Sequence, residues 1–139
     1  MEGFRFSTDV RVRFAETDAQ RIAHNATYLV WFEVARVAYL DEYTAGYRAF
    51  QDAGYEATVV ETHVRYLTPA VFDDVIRIWT RCVDVRGARF RYEYELVRDG
   101  DDARIAEGWT THACVTVGDH RPTRVPPWLA EAIAEAEKA

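Results

Sequence analysis

The sequence predicts an α+β fold in which one antiparallel sheet packs against one long helix. One long segment, residues 25–43, carries apolar side chains at helical spacing. Most of the remaining chain consists of segments in which apolar and polar residues alternate, separated by short turns. Consecutive strands joined by short turns form an antiparallel sheet, and its apolar face needs a helix to cover it. We therefore expect the sheet to curl around the helix.

Five segments have the alternation that is typical of strands. They are predicted at residues 4–14, 56–67, 71–85, 89–97 and 103–117. In the fourth segment, one face is formed by Phe90, Tyr92, Tyr94 and Leu96. Short turns such as Arg86-Gly87-Ala88 connect neighbouring strands. Two short helices are expected, at residues 47–53 and 126–138.

The predicted central helix is apolar around most of its circumference. Its few polar positions are Glu33, Arg36, Asp41 and Glu42. Such a helix has to be nearly surrounded by protein, and a single small sheet leaves part of its surface uncovered. We therefore expect a homo-oligomer. Glu33 is expected to form an ion pair, either with Arg36 or with another chain.

The bulk properties of the chain narrow the classes of function. Its 139 residues suffice for a single domain, placed at residues 1–139. A hydrophobic content of 49% with 29% charged residues excludes a disordered chain, and a net charge of -6 without a basic stripe argues against a nucleic-acid partner. No apolar run approaches the roughly 20 residues of a membrane span, and no N-terminal signal is evident, so we expect a cytoplasmic protein without a membrane partner. Cys82 and Cys114 are predicted to be buried free thiols, without a metal site.

Asp18 is the first candidate for a functional residue. It lies in the turn between the first strand and the central helix. A carboxylate at this position is close to the free backbone N–H groups of a helix start, which can stabilise developing negative charge. That combination suits a general base or a nucleophile. The alternative is that Asp18 only accepts hydrogen bonds from backbone N–H groups, and spacing alone favours this alternative.

Four motifs follow one another along nearly the whole chain. They are Phe14-Ala15-Glu16-Thr17-Asp18, the segment from His24 to Arg36 with Tyr28-Leu29-Val30-Trp31-Phe32-Glu33 inside it, Tyr66-Leu67-Thr68-Pro69-Ala70, and Arg121-Pro122-Thr123-Arg124-Val125-Pro126. In this order they resemble the motifs of hotdog-fold thioesterases, specifically the 4-hydroxybenzoyl-CoA thioesterase-like acyl-CoA thioesterases. The resemblance implies the hotdog fold, an antiparallel five-stranded sheet wrapped around one long central helix.

The resemblance also implies roles for residues of the loop and the helix start. In such enzymes the loop aspartate, here Asp18, attacks the thioester carbonyl or activates a water. A backbone N–H at the start of the central helix, here that of about Asn25, polarises the carbonyl oxygen. His24 is expected to orient the substrate or to hold a water. The family needs no metal and no cofactor, since coenzyme A is part of the substrate. Its pocket lies between two subunits, and we expect a homodimer that assembles to a homotetramer.

Other residues are candidates for substrate binding or for structural roles. Thr27 can line the acyl pocket, or Thr27 or Asn25 can cap the helix, whereas Tyr28 can line the pocket or belong to the core. Arg89 and Arg124 are the preferred candidates to bind the phosphates of coenzyme A, because guanidinium groups suit bidentate phosphate contacts. Glu16 can raise the pKa of Asp18 if the two carboxylates are close, but a solvated surface position is favoured. Asn25 and Thr27 depart from the family's second His and its Asn, and these departures bear on the substrate range.

The sequence therefore predicts an acyl-CoA thioester hydrolase that releases a carboxylic acid and free CoA. One alternative is a non-catalytic acyl-CoA binding or sensing module. Another is an acyl-thioester hydratase or dehydratase on the same fold, although the Glu-Thr-Asp motif fits hydrolysis better. An acyl-carrier thioester remains an alternative substrate. Direct attack by Asp18 and attack by a water are both left open.

Overall fold

A five-stranded antiparallel sheet curls around one long helix, as the sequence predicts. The computed structural model describes residues 2–138. The strands are β1 (Phe6–Arg11), β2 (Tyr55–Tyr66), β3 (Val75–Arg86), β4 (Arg89–Arg98) and β5 (Arg104–Thr116), in the spatial order β1-β3-β4-β5-β2. The helices are α1 (Thr27–Tyr43), α2 (Tyr47–Asp52) and α3 (Pro127–Ala136). This is the predicted hotdog architecture.

The central helix α1 buries one side against the sheet. Its buried residues recur every three or four positions and are Tyr28, Trp31, Phe32, Ala35, Tyr39 and Leu40. The ring of Phe32 stacks on that of Tyr94 in β4, with 4.0 Å between the centroids. Gly108 of β5 permits this close approach, because a Cβ there would clash with the carbonyl oxygen of His63 and lie 2.8 Å from the Phe32 ring.

The inner face of the sheet supplies the other half of the core. Buried side chains alternate along the two central strands: Ile76, Ile78, Thr80 and Cys82 in β3, and Phe90, Tyr92, Tyr94 and Leu96 in β4. The predicted face of β4 is thereby confirmed. Cys82 and Cys114 are buried free thiols, as predicted. Burial of each large apolar side chain stabilises the fold by roughly 1.5–3 kcal/mol.

Two strand boundaries were predicted wrongly. Strand β1 ends at Arg11, because Val12 instead exchanges backbone hydrogen bonds with a turn: its N–H donates to Asp74 O at 2.8 Å, and its carbonyl accepts from Asp73 N at 2.9 Å. Phe14 is consequently 75% exposed, so the predicted alternation fails there. Residues 71–74 form that turn, with Asp73 in the left-handed region, so β3 begins four residues later than predicted.

Part of the apolar surface is left uncovered by this single chain. Four large apolar side chains of α1 are exposed: Leu29, Val30, Val34 and Val37. Strand β2 is at the edge of the sheet and pairs only with β5, and its middle carries the exposed Val59 and Val60. An uncovered apolar helix face and a long open edge are both features that proteins usually cover. No helix within residues 2–138 has the length and apolar character needed to cross a membrane.

Candidate active site

The loop between β1 and α1 folds back on itself at Asp18. Thr17 forms an isolated antiparallel bridge with Ala23, and inside this bridge Asp18 N donates to Ile22 O at 3.0 Å. Arg21 N donates in turn to Asp18 O at 2.9 Å and closes the turn. The loop contains no Gly, and Arg21 takes the left-handed conformation with a φ of 66°. Backbone hydrogen bonds at its N–H and its carbonyl oxygen therefore fix the main chain of Asp18.

The carboxylate of Asp18 is half-buried and is held through one of its two oxygens. Its Oδ1 accepts a hydrogen bond from Gln20 N at 2.8 Å. The structure gives Oδ2 no hydrogen-bond partner among residues 2–138. The capping role that spacing favoured is thus present at one oxygen, while the second oxygen remains available to a water or a substrate carbonyl carbon.

Glu16 is a structural anchor of the loop. Only 9% of it is exposed, so the expected solvated position is wrong. Its Oε1 accepts from Arg13 N at 2.8 Å, and its Oε2 accepts from Arg13 Nη2 and from Trp31 Nε1, both at 3.3 Å. Its carbonyl oxygen accepts from His24 N at 2.7 Å. Glu16 therefore ties the start of the loop to the end of the loop and to α1.

The start of α1 leaves backbone N–H groups without an acceptor, among them that of Asn25. Ala26 N donates to His24 Nδ1 at 3.1 Å, and Thr27 N donates to His24 O at 2.9 Å. The expected side-chain caps from Asn25 or Thr27 are wrong, since His24 accepts these bonds. Asn25 N has no backbone or side-chain acceptor within residues 2–138. Because Nδ1 of His24 accepts, a neutral His24 ring carries its proton on Nε2.

A cleft of about 460 Å³ brings the predicted catalytic residues together. It is lined by Asp18, Gln20, Ile22, Ala23, His24, Asn25, Tyr28, Tyr66, Leu67, Thr68 and Pro69. The loop supplies one wall, and the end of β2 with the segment after it supplies the other. Asp18, His24, Asn25 and Tyr28 thus share one cleft, and Thr27 does not line it.

Tyr66 is a residue of this cleft that the sequence did not single out. Its hydroxyl donates to Asn25 O at 2.9 Å, and its ring meets that of Tyr28 edge to face at 4.9 Å. Burial raises the pKa of both tyrosines, so Tyr66 stays protonated and able to donate. The signal in the sequence was its place at the head of the Tyr66-Leu67-Thr68-Pro69-Ala70 motif.

Arg89 and Arg124 lie away from the cleft of their own subunit. Arg89 pairs with Ala113 on β5, whereas Tyr66 at the cleft pairs with Ala106. Seven positions along β5 separate the two levels, which is roughly 23 Å. Arg124 is beside Arg89, since the next residue, Val125, donates its N–H to Gly87 O in the β3–β4 turn. A single subunit therefore does not bring these arginines to Asp18.

Glu33 is exposed on α1 and forms no ion pair within residues 2–138. The predicted pairing with Arg36 is wrong, and pairing with another chain stays a prediction. In the part of the chain that the structure describes, no three His, Cys, Asp or Glu side chains are grouped to hold a metal ion.

Known proteins are similar to this chain in both sequence and fold. An acyl-CoA thioesterase of Haemophilus influenzae, YbgC, is 31% identical over 122 residues, which are 87% of this chain and 88% of that protein. A 1,4-dihydroxy-2-naphthoyl-CoA hydrolase of Thermosynechococcus vestitus is 30% identical over 131 residues, which are 90% of this chain and 88% of the relative. The crystal structure of the hypothetical protein TT1821 from Thermus thermophilus is 32% identical, with a TM-score of 0.86 over 94% of this chain and 98% of that one. The family model of the thioesterase-like superfamily matches residues 12–133, and the chain therefore belongs to this superfamily.

Proposed function

We propose that this protein hydrolyses acyl-CoA thioesters to a carboxylic acid and free coenzyme A. The observation that carries the proposal is that Asp18 and Asn25 line the same cleft. Asp18 has a carboxylate oxygen without a hydrogen-bond partner, and Asn25 has a backbone N–H without an acceptor. The acyl-CoA thioesterase YbgC and the naphthoyl-CoA hydrolase among the relatives support the same reaction class.

The two groups have complementary tasks in this chemistry. A thioester carbonyl is electrophilic, and negative charge develops on its oxygen as the nucleophile adds. The N–H of Asn25 donates a hydrogen bond to this oxygen, at a helix start whose partial positive charge favours an anion. Stabilisation of this kind is typically worth about 3–4 kcal/mol of the barrier per donor.

Asp18 supplies the nucleophile by one of two routes. As a general base it takes a proton from water, whose oxygen forms the new C–O bond. As a nucleophile it attacks the carbonyl and forms an acyl anhydride, which water then opens. In both routes the C–S bond breaks and coenzyme A leaves as a thiolate that takes up a proton. His24, which lines the cleft, orients the substrate or the water through its Nε2–H in this proposal.

A homodimer completes the site in this proposal. The open edge of β2 and the exposed apolar stripe of α1 offer two surfaces for a second copy. If two β2 strands pair antiparallel about a twofold axis, the Tyr55 end of one lies beside the Tyr66 end of the other. Thr58 of β2 is level with Ala113 and hence with Arg89. Such pairing carries Arg89 and Arg124 of one copy towards the cleft of the other, where the phosphates of coenzyme A would lie. Two dimers would then associate into the expected tetramer.

The decisive experiment is thiol release from a panel of acyl-CoAs by wild type and by Asp18→Asn. The variant should lower kcat by at least about a hundredfold, because the amide can neither accept a proton nor attack. Asp52→Asn, at an exposed position in α2, is the matched control and should retain normal kcat. Size-exclusion chromatography checks that the assembly is unchanged.

The same panel separates the alternatives. Saturable acyl-CoA binding without thiol release would identify a binding module. Consumption of a 2-enoyl-CoA without thiol release would identify a hydratase. Near-normal turnover by Asp18→Asn would remove Asp18 from the mechanism.

A further inference from the structure

A second cavity, of about 300 Å³, lies between the later turns of α1 and the sheet. It is lined by Glu33, Arg36, Val37, Leu40, Tyr47, Phe50, Ala57, Val59, Phe90, Tyr92, His112, Leu129 and Ile133. The exposed Glu33, Val37 and Val59 mark its mouth, and its inner wall is buried. Mostly apolar walls with a few polar groups are typical of small-molecule sites, and the volume is at the lower end of their range.

A chain of hydrogen bonds runs through the core to this cavity. Arg36 Nη1 donates to Tyr94 Oη at 3.1 Å. Tyr94 Oη is 2.7 Å from Thr110 Oγ1, which is 2.7 Å from His112 Nε2. Tyr94, Thr110 and His112 are almost completely buried. The four side chains therefore form one continuous polar chain inside an apolar core.

The direction of these bonds follows from the requirement that each buried hydroxyl proton has an acceptor. A guanidinium group only donates, so Tyr94 Oη accepts from Arg36 and directs its own proton to Thr110. Thr110 in turn directs its proton to His112, whose Nε2 must accept it. Burial and the nearby Arg36 charge lower the pKa of His112 to about 3, so its ring is neutral at pH 7. The single ring proton is therefore on Nδ1.

This Nδ1–H has no acceptor. Nδ1 is buried and has no hydrogen-bond partner among residues 2–138, although its ring is one of the cavity-lining groups. Arg36, at the other end of the chain, also lines the cavity and has no carboxylate within ion-pair distance in the described residues. Buried donors are nearly always satisfied in folded proteins, and an exception next to a cavity points to a ligand that completes it.

We infer that this cavity receives the acyl part of the thioester, and that His112 selects acyl groups with a hydrogen-bond-accepting oxygen beyond the thioester carbonyl. The inference rests on the proposed hydrolysis of acyl-CoA. His112 is a specificity-determining residue in this role, because the oxygen of the acyl group accepts the bond that Nδ1–H otherwise lacks. An acyl group without that oxygen would leave the donor unpaired in an apolar cavity.

The proposed dimer connects this cavity to the catalytic cleft. The cavity reaches β2 at Ala57 and Val59, whereas the cleft reaches β2 at Tyr66. When two β2 strands pair antiparallel, the part of β2 that lines the cavity in one copy lies beside the part that lines the cleft in the other copy. An acyl chain bound at Asp18 of one subunit can then extend into the cavity of its partner.

Matched acyl-CoA pairs test the selection. 5-Oxohexanoyl-CoA and 5-methylhexanoyl-CoA have the same shape and differ in one acceptor oxygen, and 7-oxooctanoyl-CoA with 7-methyloctanoyl-CoA probes a deeper position. Wild type should prefer the oxo member of at least one pair by roughly fivefold or more in kcat/KM. His112→Phe should reduce that ratio to near one, chiefly by improving the methyl member. The control is His120→Phe, which replaces an exposed histidine in the turn after β5 that lines neither the cavity nor the cleft; it should keep the wild-type ratio.

A second measurement does not depend on catalysis. ¹⁵N NMR of the histidine rings in wild type should show the His112 proton on Nδ1 at pH 7, with a resonance that shifts when 2-heptanone is added. A proton on Nε2, or a wild type that prefers the methyl members of both pairs, would overturn the inference even if His112→Phe does not fold. Absence of thiol release from every acyl-CoA would instead refute the proposed function, while the NMR result would still decide whether His112 offers a donor to a ketone.

Discussion

The carboxylate of Glu16 accepts a hydrogen bond from the indole Nε1 of Trp31 at 3.3 Å, which joins the Asp18 loop to the central helix. The same carboxylate accepts from Arg13 N, and the carbonyl of Glu16 accepts from His24 N. One residue thus fixes both ends of the loop against a fully packed aromatic side chain. These bonds of Glu16 hold both ends of the loop in place, and so keep Asp18 and the N–H of Asn25 in one cleft.

Replacement of the anchor should impair both stability and turnover. In Glu16→Gln, the amide has only one accepting oxygen, whereas the carboxylate accepts from Arg13 N with one oxygen and from Trp31 Nε1 with the other. One of these two donors therefore loses its partner. We expect the free energy of unfolding to fall by about 1–3 kcal/mol, and kcat to fall while Asp18 itself is unchanged. Urea unfolding and thiol release measure the two effects. Glu131→Gln, at an exposed position in α3, is the control, and equal behaviour of the two variants would show that Glu16 is no anchor.

The sequence predicted the parts of the fold that depend on local periodicity. Alternation identified the buried face of β4, and helical spacing identified the buried side of α1. The position of Glu16 escaped prediction, because its partner Trp31 is fifteen residues away and only the folded loop brings them together. The end of β1 at Arg11 escaped for the same reason, since the competing partner of Val12 is the turn at residues 73–74.

The candidate site was predicted in part. Resemblance to a family supplied Asp18, His24 and Asn25, and the cleft contains all three. Periodicity could not reveal that the His24 ring accepts a hydrogen bond from Ala26 N just before the helix, because that bond depends on the ring orientation. The hydrogen-bond chain from Arg36 to His112 could not be predicted from the sequence either, because its members come from three different elements and share no motif.

Gly108 should be intolerant of any side chain. A Cβ at this position would clash with the His63 carbonyl and with the Phe32 ring, so Gly108→Ala has to displace both the β2 backbone and the Phe32 side chain of α1. We expect a loss of about 3 kcal/mol in the free energy of unfolding. In Gly87→Ala, the new Cβ meets open space and only the left-handed backbone is penalised, at about 1 kcal/mol. A smaller loss at Gly108 than at Gly87 in urea titrations would contradict this packing argument.

His112 should make the folded state sensitive to acid. Its pKa is about 3 in the folded protein and about 6.5 when unfolded, so the unfolded chain binds the proton first as the pH falls. Its contribution to stability is complete above pH 6.5 and decreases between pH 6.5 and 3, by up to about 1.4 kcal/mol per pH unit. The midpoint of thermal unfolding should therefore fall more steeply from pH 6.5 to 4.5 in wild type than in His112→Phe. Parallel curves would show that His112 is protonated in the folded protein.

The hydroxyl of Tyr66 should matter for turnover. It donates to the carbonyl of Asn25 and so restrains the backbone whose N–H is proposed to bind the substrate carbonyl. Tyr66→Phe should lower kcat by roughly fivefold, because loss of one hydrogen bond of about 1 kcal/mol relaxes the donor geometry. KM should change less. Tyr43→Phe, at the far end of α1 and with a hydroxyl that has no hydrogen-bond partner within residues 2–138, is the matched control. An unchanged kcat in Tyr66→Phe would mean that the helix start is rigid without this bond.

The exposed stripe of α1 should hold the dimer together. Val34 is at the centre of this stripe. It is exposed, and the exposed Val30 and Val37 flank it. A charge at this position would be buried without a partner in the proposed interface, so Val34→Glu should shift the protein to monomers in sedimentation experiments. Thiol release should fall with the dimer fraction, because in the proposed dimer the cavity and the arginines that complete each cleft come from the second copy. Val117→Glu, an equally exposed valine beyond the end of β5, should leave both the dimer and kcat unchanged. A wild type that is monomeric yet fully active would show that one subunit contains the whole site.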